Sequence, residues 1–349
     1  MVNTEEYKRI IYQPGRVARI ILNRPRYRNA LSHPLFREME NAFDRATHDP
    51  ECRVIVLSGA GDCFSAGDDA IGLTPESAPV LVDEKTPDEL MKQWGSEREV
   101  WRRYWTEHDY YIHDQWILKI RRIPKPTIAM VHGYAIFRGF NIARSMDLVF
   151  ATEDALFLPS DVMPLWDMGA RKILEVKFEH RFLTARELMD FHMVSRIYPD
   201  FATLERETLA YAERVAENPT SSNRRAKEDV YAAMDLMGFT GSNFQREIFD
   251  VSFQQRDVPR EERHRERYEG RGMARTPRAY RNLKLKLESE GAEVPSAVLK
   301  ALERAATRND REAWDRALQQ EWRAQYRRER AKADAQVYEE AKAGDETKG

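Results

Sequence analysis

Cysteine is nearly missing from this chain. Its 349 residues hold only Cys52 and Cys63, too few for a disulfide framework or a cysteine-rich zinc site. Long apolar runs are missing too. No stretch reaches the roughly 18 residues a membrane-spanning helix needs, and the opening "MVNTEEYKRI" is polar rather than leader-like. Neither sign of charge dominates: the formal net charge of −2 excludes a strongly basic nucleic-acid binder or an electrostatic membrane anchor. No residue cluster implies a metal or a redox cofactor. What is present is an apolar fraction of 42 %, enough for a substantial core. The length suits one large domain with an appendage, or two domains. The expectation is a cytoplasmic protein that binds neither membrane nor nucleic acid.

The first half alternates strand and helix signals. "RVARIILN" (16–23) is apolar and β-branched, and stops before Pro25. "HPLFREMENAFDRAT" (33–47) follows, with Leu35, Phe36, Met39, Ala42, Phe43 and Ala46 on one helical face and Ser32 at the N-cap. "RVIVLSGAG" (53–61), "TIAMVHG" (127–133) and "DLVFAT" (147–152) read as buried parallel strands. Strands separated by helices predict an α/β fold with a largely parallel sheet.

Between the second and third of these strands lies an aromatic segment at about 87–118. Trp101, Trp105, His108, Ile112 and Trp116 recur at helical spacing, a stripe that reads as packing, with a role in lining a pocket as the alternative. Beyond residue 170 the pattern is helical over 184–193, 201–219 and 221–238, with Thr or Ser near each start. "RGMARTPRAYRNLKLK" (271–286) is basic without an acid and reads as a solvated linker rather than a phosphate contact. In residues 301–349, Trp314, Leu318, Trp322 and Tyr326 form a narrow apolar seam on a charged helix, which must pack on its own chain or on a neighbour.

Two turns carry chemical possibilities. "GAGDCFSAGDD" (59–69) follows a strand and is rich in small residues, so it can present backbone N–H groups. "YAIFRGFN" (134–141) leads from a strand into a helix, whose first N–H groups lack intrahelical partners. Two such turns converging on one oxygen would stabilise an oxyanion.

In order, "ILNRPRYRNALS", "GDCFSAGDD" and "KPTIAMVHGYAIFRGFNIARSMDLVFATEDALF", with "FLTARELMDFHMVSRIYP" after them, resemble the crotonase, or enoyl-CoA hydratase/isomerase, superfamily. The likeness runs from about residue 7 to 255. It implies a spiral of ββα turns with two roughly perpendicular sheets in residues 1–200. It also implies a helical, oligomer-forming region at 201–275, leaving 276–349 as a charged helical extension. It further implies an acyl-CoA thioester substrate, with coenzyme A as part of that substrate and no resident cofactor, and a trimer or dimer of trimers. The oxyanion donors it implies are the backbone N–H groups of Asp68 and Arg138. Arg26, with Arg28 beside it, stands where the family places a cation near the nucleotide phosphates, a task that suits guanidinium.

The acid positions depart from the family's hydratases, which use two glutamates. The first falls on Asn141, which transfers no proton at neutral pH. Asn141 then positions water or substrate, or merely caps its helix. The second falls on Asp161, with Asp167 as a rival because the following loop is shortened. Hydration of an enoyl-CoA is the leading expectation, as the superfamily's commonest activity. Double-bond isomerisation with a single acid is an alternative. Others are hydrolysis of a β-diketone using a histidine (His108, His113 or His132) and a non-catalytic assembly module.

Overall fold

The computed structural model describes residues 7–67, 116–159, 168–240 and 275–303. The chain divides into two compact units. One comprises Met1–Asp69 with Arg102–Pro295, the other Ala70–Trp101 with Ser296–Gly349. In the second unit the described residues, 296–303, are helical.

The first unit is built on a six-stranded sheet ordered β1 (Ile10–Gln13), β2 (Val17–Leu22), β3 (Val54–Gly59), β4 (Thr127–Val131), β6 (Leu148–Thr152) and β9 (Arg196–Tyr198). β1 pairs antiparallel with β2, and every later pairing is parallel. A smaller sheet holds β5 (Tyr134–Ile136), β7 (Leu156–Leu158) and β8 (Leu183–Thr184), with β5 and β7 parallel. The chain passes from the large sheet to the small one twice, between β4 and β5 and between β6 and β7. The first passage turns at Gly133, where φ is +60° and a Cβ would stand 2.2 Å from the Asp62 carbonyl oxygen. Only glycine fits this corner. The mixed α/β spiral agrees with the expected fold class.

Both faces of the large sheet are covered, which is why its central strands are continuous apolar runs. On one face Ile55, Leu57, Ala129, Val131, Val149 and Ala151 join the main core. That core includes α1 (His33–His48), whose six predicted apolar positions are each no more than 3 % exposed. Ser32 caps α1, its hydroxyl accepting the Leu35 N–H at 3.4 Å. Trp116 opens α2 (Trp116–Arg122) and packs edge-on against Phe36 and Phe43 at 4.8 and 5.4 Å. The packing reading thus holds for Trp116; the rest of the aromatic stripe lies outside the described residues. On the other face Val54, Val56, Ile128, Met130 and Phe150 pack with Leu204, Ala212 and Ala216 of α6 (Phe201–Glu217).

Among the described residues of the first unit, the remaining helices are α3 (Arg138–Ser145), α4 (Ala170–Glu179), α5 (Ala185–Asp190), α7 (Thr220–Leu236) and α8 (Arg275–Ser289). α5 starts with a reciprocal Thr184–Glu187 capping box. The expectation of a Thr or Ser cap fails at α6, capped by Asp200, and at α7, which has no side-chain cap. The linker reading of 271–286 is also overturned. Residues from Arg275 form α8, and Ala279, Tyr280 and Leu283 are buried. Short apolar positions at helical spacing were masked by the flanking cations. Lys286 on this helix meets Glu187 at 3.2 Å, and Glu187 also meets Arg181 at 2.9 Å. Arg181 is fully buried and further paired with Glu175 and Glu179.

Candidate active site

The site begins with "RPRYRNA". A 3₁₀ turn at Pro25–Tyr27 is followed by two left-handed residues, Arg28 (φ 51°) and Asn29 (φ 53°). Asparagine tolerates this region better than most residues because its short amide bonds locally. The fully buried Asn29 accepts the Arg24 N–H at 2.9 Å and donates to the carbonyls of Ala60 and Cys63 at 2.8 and 2.9 Å. It therefore ties the turn after β2 to the loop after β3. Arg26 and Arg28 are exposed on this turn. The Arg28 guanidinium lies 5.9 Å from the centre of the Tyr134 ring, within cation–π range.

The loop after β3 then runs alongside β5. Ser65 N–H donates to Tyr134 O at 2.9 Å, and Ile136 N–H donates to Ser65 O at 3.0 Å. Next comes Gly67, with φ +84°. A Cβ there would lie 2.4 Å from the Ile136 carbonyl oxygen and 3.3 Å from the Phe137 Cβ. The first turn thus abuts the residues that immediately precede Arg138. Gly67 O accepts the Leu31 N–H at 2.8 Å.

The second turn is made by Phe137, a non-glycine residue at φ 49° and ψ −110°. Such a conformation costs about 1–3 kcal/mol and persists only when its surroundings dictate it. Here Phe137 N–H donates to Leu158 O at 2.7 Å, and Phe137 O accepts the Asn141 N–H at 3.0 Å. Arg138 is the first residue of α3, whose eight residues are all buried. At that position an amide has no carbonyl to meet within its own helix. Gly139 brings α3 onto the first turn: a Cβ would stand 2.8 Å from the Ser65 Cβ. The two turns are therefore side by side, the arrangement oxyanion stabilisation requires.

Asn141 is 3 % exposed and sits in the first full turn of α3. The capping alternative fails, because Phe137 occupies the N-cap. The Asn141 Oδ1 faces Arg144 Nε at 3.4 Å, and its carbonyl accepts the Ser145 hydroxyl at 2.6 Å. Asp68, Asp161, its rival Asp167, and the histidines His108 and His113 lie outside the described residues. His132 is engaged from two sides. Its ring lies 4.3 Å from that of Phe201 on α6, and Nε2 is 3.0 Å from Gly61 O. Burial holds its pKa below the ordinary histidine value. The thiol of Cys63 is pushed up to about 12, chiefly by burial, and so is no nucleophile at neutral pH. Sequence reasoning missed Asn29 and Ser65. An Asn immediately before the small residue of "RNA" was the available signal, since Asn is favoured at left-handed positions.

Two family models, both described as enoyl-CoA hydratase/isomerase, match residues 17–163 and 106–271. A Mycobacterium tuberculosis protein with a provisional enoyl-CoA hydratase name, EchA13, is 32 % identical over 68 % of this chain and 78 % of its own. The human mitochondrial Δ(3,5)-Δ(2,4)-dienoyl-CoA isomerase is 28 % identical over 66 % of this chain and 70 % of its own. Among solved structures, a probable enoyl-CoA hydratase of Mycobacterium thermoresistibile is 32 % identical. It superposes with a TM-score of 0.57 over 70 % of this chain and 94 % of its own. An enoyl-CoA hydratase/isomerase of Xanthobacter autotrophicus Py2 gives a TM-score of 0.59 at 25 % identity, over 70 % of this chain and 87 % of its own.

Proposed function

The chain belongs to the enoyl-CoA hydratase/isomerase family, and from that premise we propose that it is an enzyme that adds water to the double bond of an enoyl-CoA thioester. The backbone N–H groups of Asp68 and Arg138 polarise the thioester carbonyl towards an enolate. Asp161 transfers the proton, Asn141 positions water or substrate, and Arg26 and Arg28 hold the nucleotide phosphates. The observation that carries this reading is the close approach of Gly67 to Ile136 and Phe137, which abuts the two turns with no room for a side chain between them. Asp161 takes this role on the family resemblance, with Asp167 as its rival.

Movement of a double bond is the second reading, favoured by Asn141. A single proton-shuttling acid suffices for it, and the human dienoyl-CoA isomerase is among the relatives. The C–C hydrolase alternative gains no support from His132, whose Nε2 is engaged by Gly61 O at 3.0 Å and whose ring packs against Phe201 of α6. We also propose a homo-oligomer, supported by α7: no residue of that helix is buried, and Val230 and Leu236 are exposed.

Calorimetric titration with coenzyme A and acetyl-CoA, repeated on Arg26→Ala, tests the thioester site. Saturable binding that weakens in the variant is expected. Absence of binding by either ligand at millimolar concentration would overturn the proposal. Product analysis with a 2-enoyl-CoA and a 3-enoyl-CoA then separates hydration from isomerisation.

A further inference from the structure

The hydrogen bonds around Ser65 carry one step more, which rests on the oxyanion reading above. Ser65 and Asn29 are both fully buried. The Ser65 hydroxyl donates to Asn29 O at 2.8 Å and accepts the Gly67 N–H at 3.1 Å. A hydroxyl has one hydrogen, so donation to Asn29 leaves a lone pair facing Gly67 and fixes its rotor. Asn29 cannot drift, because its own amide is held by Arg24, Ala60 and Cys63. Ser65 is equally fixed through its backbone, bonded on both sides to β5.

We infer that Ser65 and Asn29 are positioning residues, an internal relay that orients the Gly67 peptide and hence the first oxyanion donor. Two bonds determine the orientation of the Gly67 residue. Ser65 Oγ takes its N–H and Leu31 N–H takes its carbonyl. Glycine at φ +84° has wide conformational freedom, so an unsupported Gly67 would sample other orientations. The relay also couples the two turns. The Ser65 side chain lies directly under Gly139 of α3, so one residue sets the height of both. Neither residue touches the reacting atoms; they act through the backbone that does.

The test compares full-length wild type, Ser65→Ala and Thr127→Val. Thr127 is a matched control remote from the turns. It too is fully buried, and its hydroxyl donates to Asp147 at 2.9 Å and accepts the Asp147 N–H at 3.0 Å. Two readouts are taken, steady-state kinetics on crotonyl-CoA and amide hydrogen exchange resolved at Gly67. Ser65→Ala is expected to lose about ten- to a hundred-fold in kcat, the scale of a misoriented group, with KM changed less than about twofold. Gly67 exchange should accelerate alongside. Thr127→Val should lower the thermal midpoint similarly while leaving kcat and Gly67 exchange at wild-type values. Unchanged kcat or unchanged Gly67 exchange in Ser65→Ala overturns the inference. If wild type turns over no enoyl-CoA, the functional reading fails separately, and exchange at Gly67 alone decides whether Ser65 orders this turn.

Discussion

At Gly139 a single methyl group separates a working geometry from a disrupted one. Its Cβ would meet Ser65 Cβ at 2.8 Å and Ser65 O at 2.9 Å, and both neighbours are anchored to β5. Gly139→Ala must therefore push α3 away from the first turn. Overpacking of this kind costs about 1–3 kcal/mol, and the spreading should also lower kcat. Urea unfolding together with turnover of crotonyl-CoA checks both effects; wild-type values for both would show that the turns are less tightly abutted than described. His132 gives a second residue-scale prediction. Burial lowers its pKa below the 6.5 of the unfolded chain. Below that pH the unfolded chain takes up a proton before the folded one does, so stability rises with pH in this window. The contribution is complete above 6.5 and is lost as pH falls towards the folded value. His132→Gln should flatten the acid limb of a plot of urea midpoint against pH. A slope unchanged by the substitution would assign it to other groups.

Among the elements, α7 is held less by apolar contact than by one ion pair. Lys227 Nζ lies 2.8 Å from the Asp147 carboxylate and donates to Ile120 O and Lys125 O at 3.1 and 3.2 Å. Asp147 also accepts the Tyr231 hydroxyl at 2.6 Å and the Thr127 N–H at 2.8 Å. Removing Lys227 leaves the Asp147 carboxylate, 17 % exposed, without its cation but still bonded by Tyr231 and Thr127, so the cost falls at the low end for a buried pair, about 3 kcal/mol. Lys227→Met should therefore lower stability by about 3 kcal/mol, and pairing it with Asp147→Asn should recover part of that loss. Additive losses in that double-mutant cycle would contradict the coupling. The docking of α8 rests instead on rings. Tyr280 lies 4.4 Å from Phe182 and 6.2 Å from Tyr134, ring centre to ring centre, and is 6 % exposed. Tyr280→Ala should cost about 3 kcal/mol, at the low end for a large aromatic, measured by chemical unfolding. Here the legibility of the sequence differed sharply between helices. α1 was plain because Ser32, six apolar positions and a polar opposite face all agree. α8 was not, because Ala279, Tyr280 and Leu283 among five cations resemble a solvated segment until Phe182 and Tyr134 are seen to receive Tyr280.

For the molecule as a whole, the exposed apolar residues of α7 and its C-terminal end have a direct consequence. Leu236 and Met237 are 90 % and 63 % exposed. Apolar surface of this sort on a helix with no buried residue is the kind an association would cover. Light scattering should return a multiple of the chain mass, and Leu236→Asp with Met237→Asp should reduce it while leaving the circular dichroism intact. A monomeric wild type would refute the proposed assembly. The sequence by itself determined the alternation of strands and helices, the buried face of α1 and the family likeness. Each is encoded by local periodicity or by short segments in a fixed order. It also showed that Asn141 cannot serve as an acid, since that follows from the side chain alone. The tertiary structure decided what depends on distant segments meeting. Gly67 must be glycine because Ile136 lies above it, and Gly139 because Ser65 lies below. Asn29 matters because carbonyls from a loop some thirty residues on converge on its amide. Periodicity reports which face a residue turns inward; it is silent about which backbone will be waiting there.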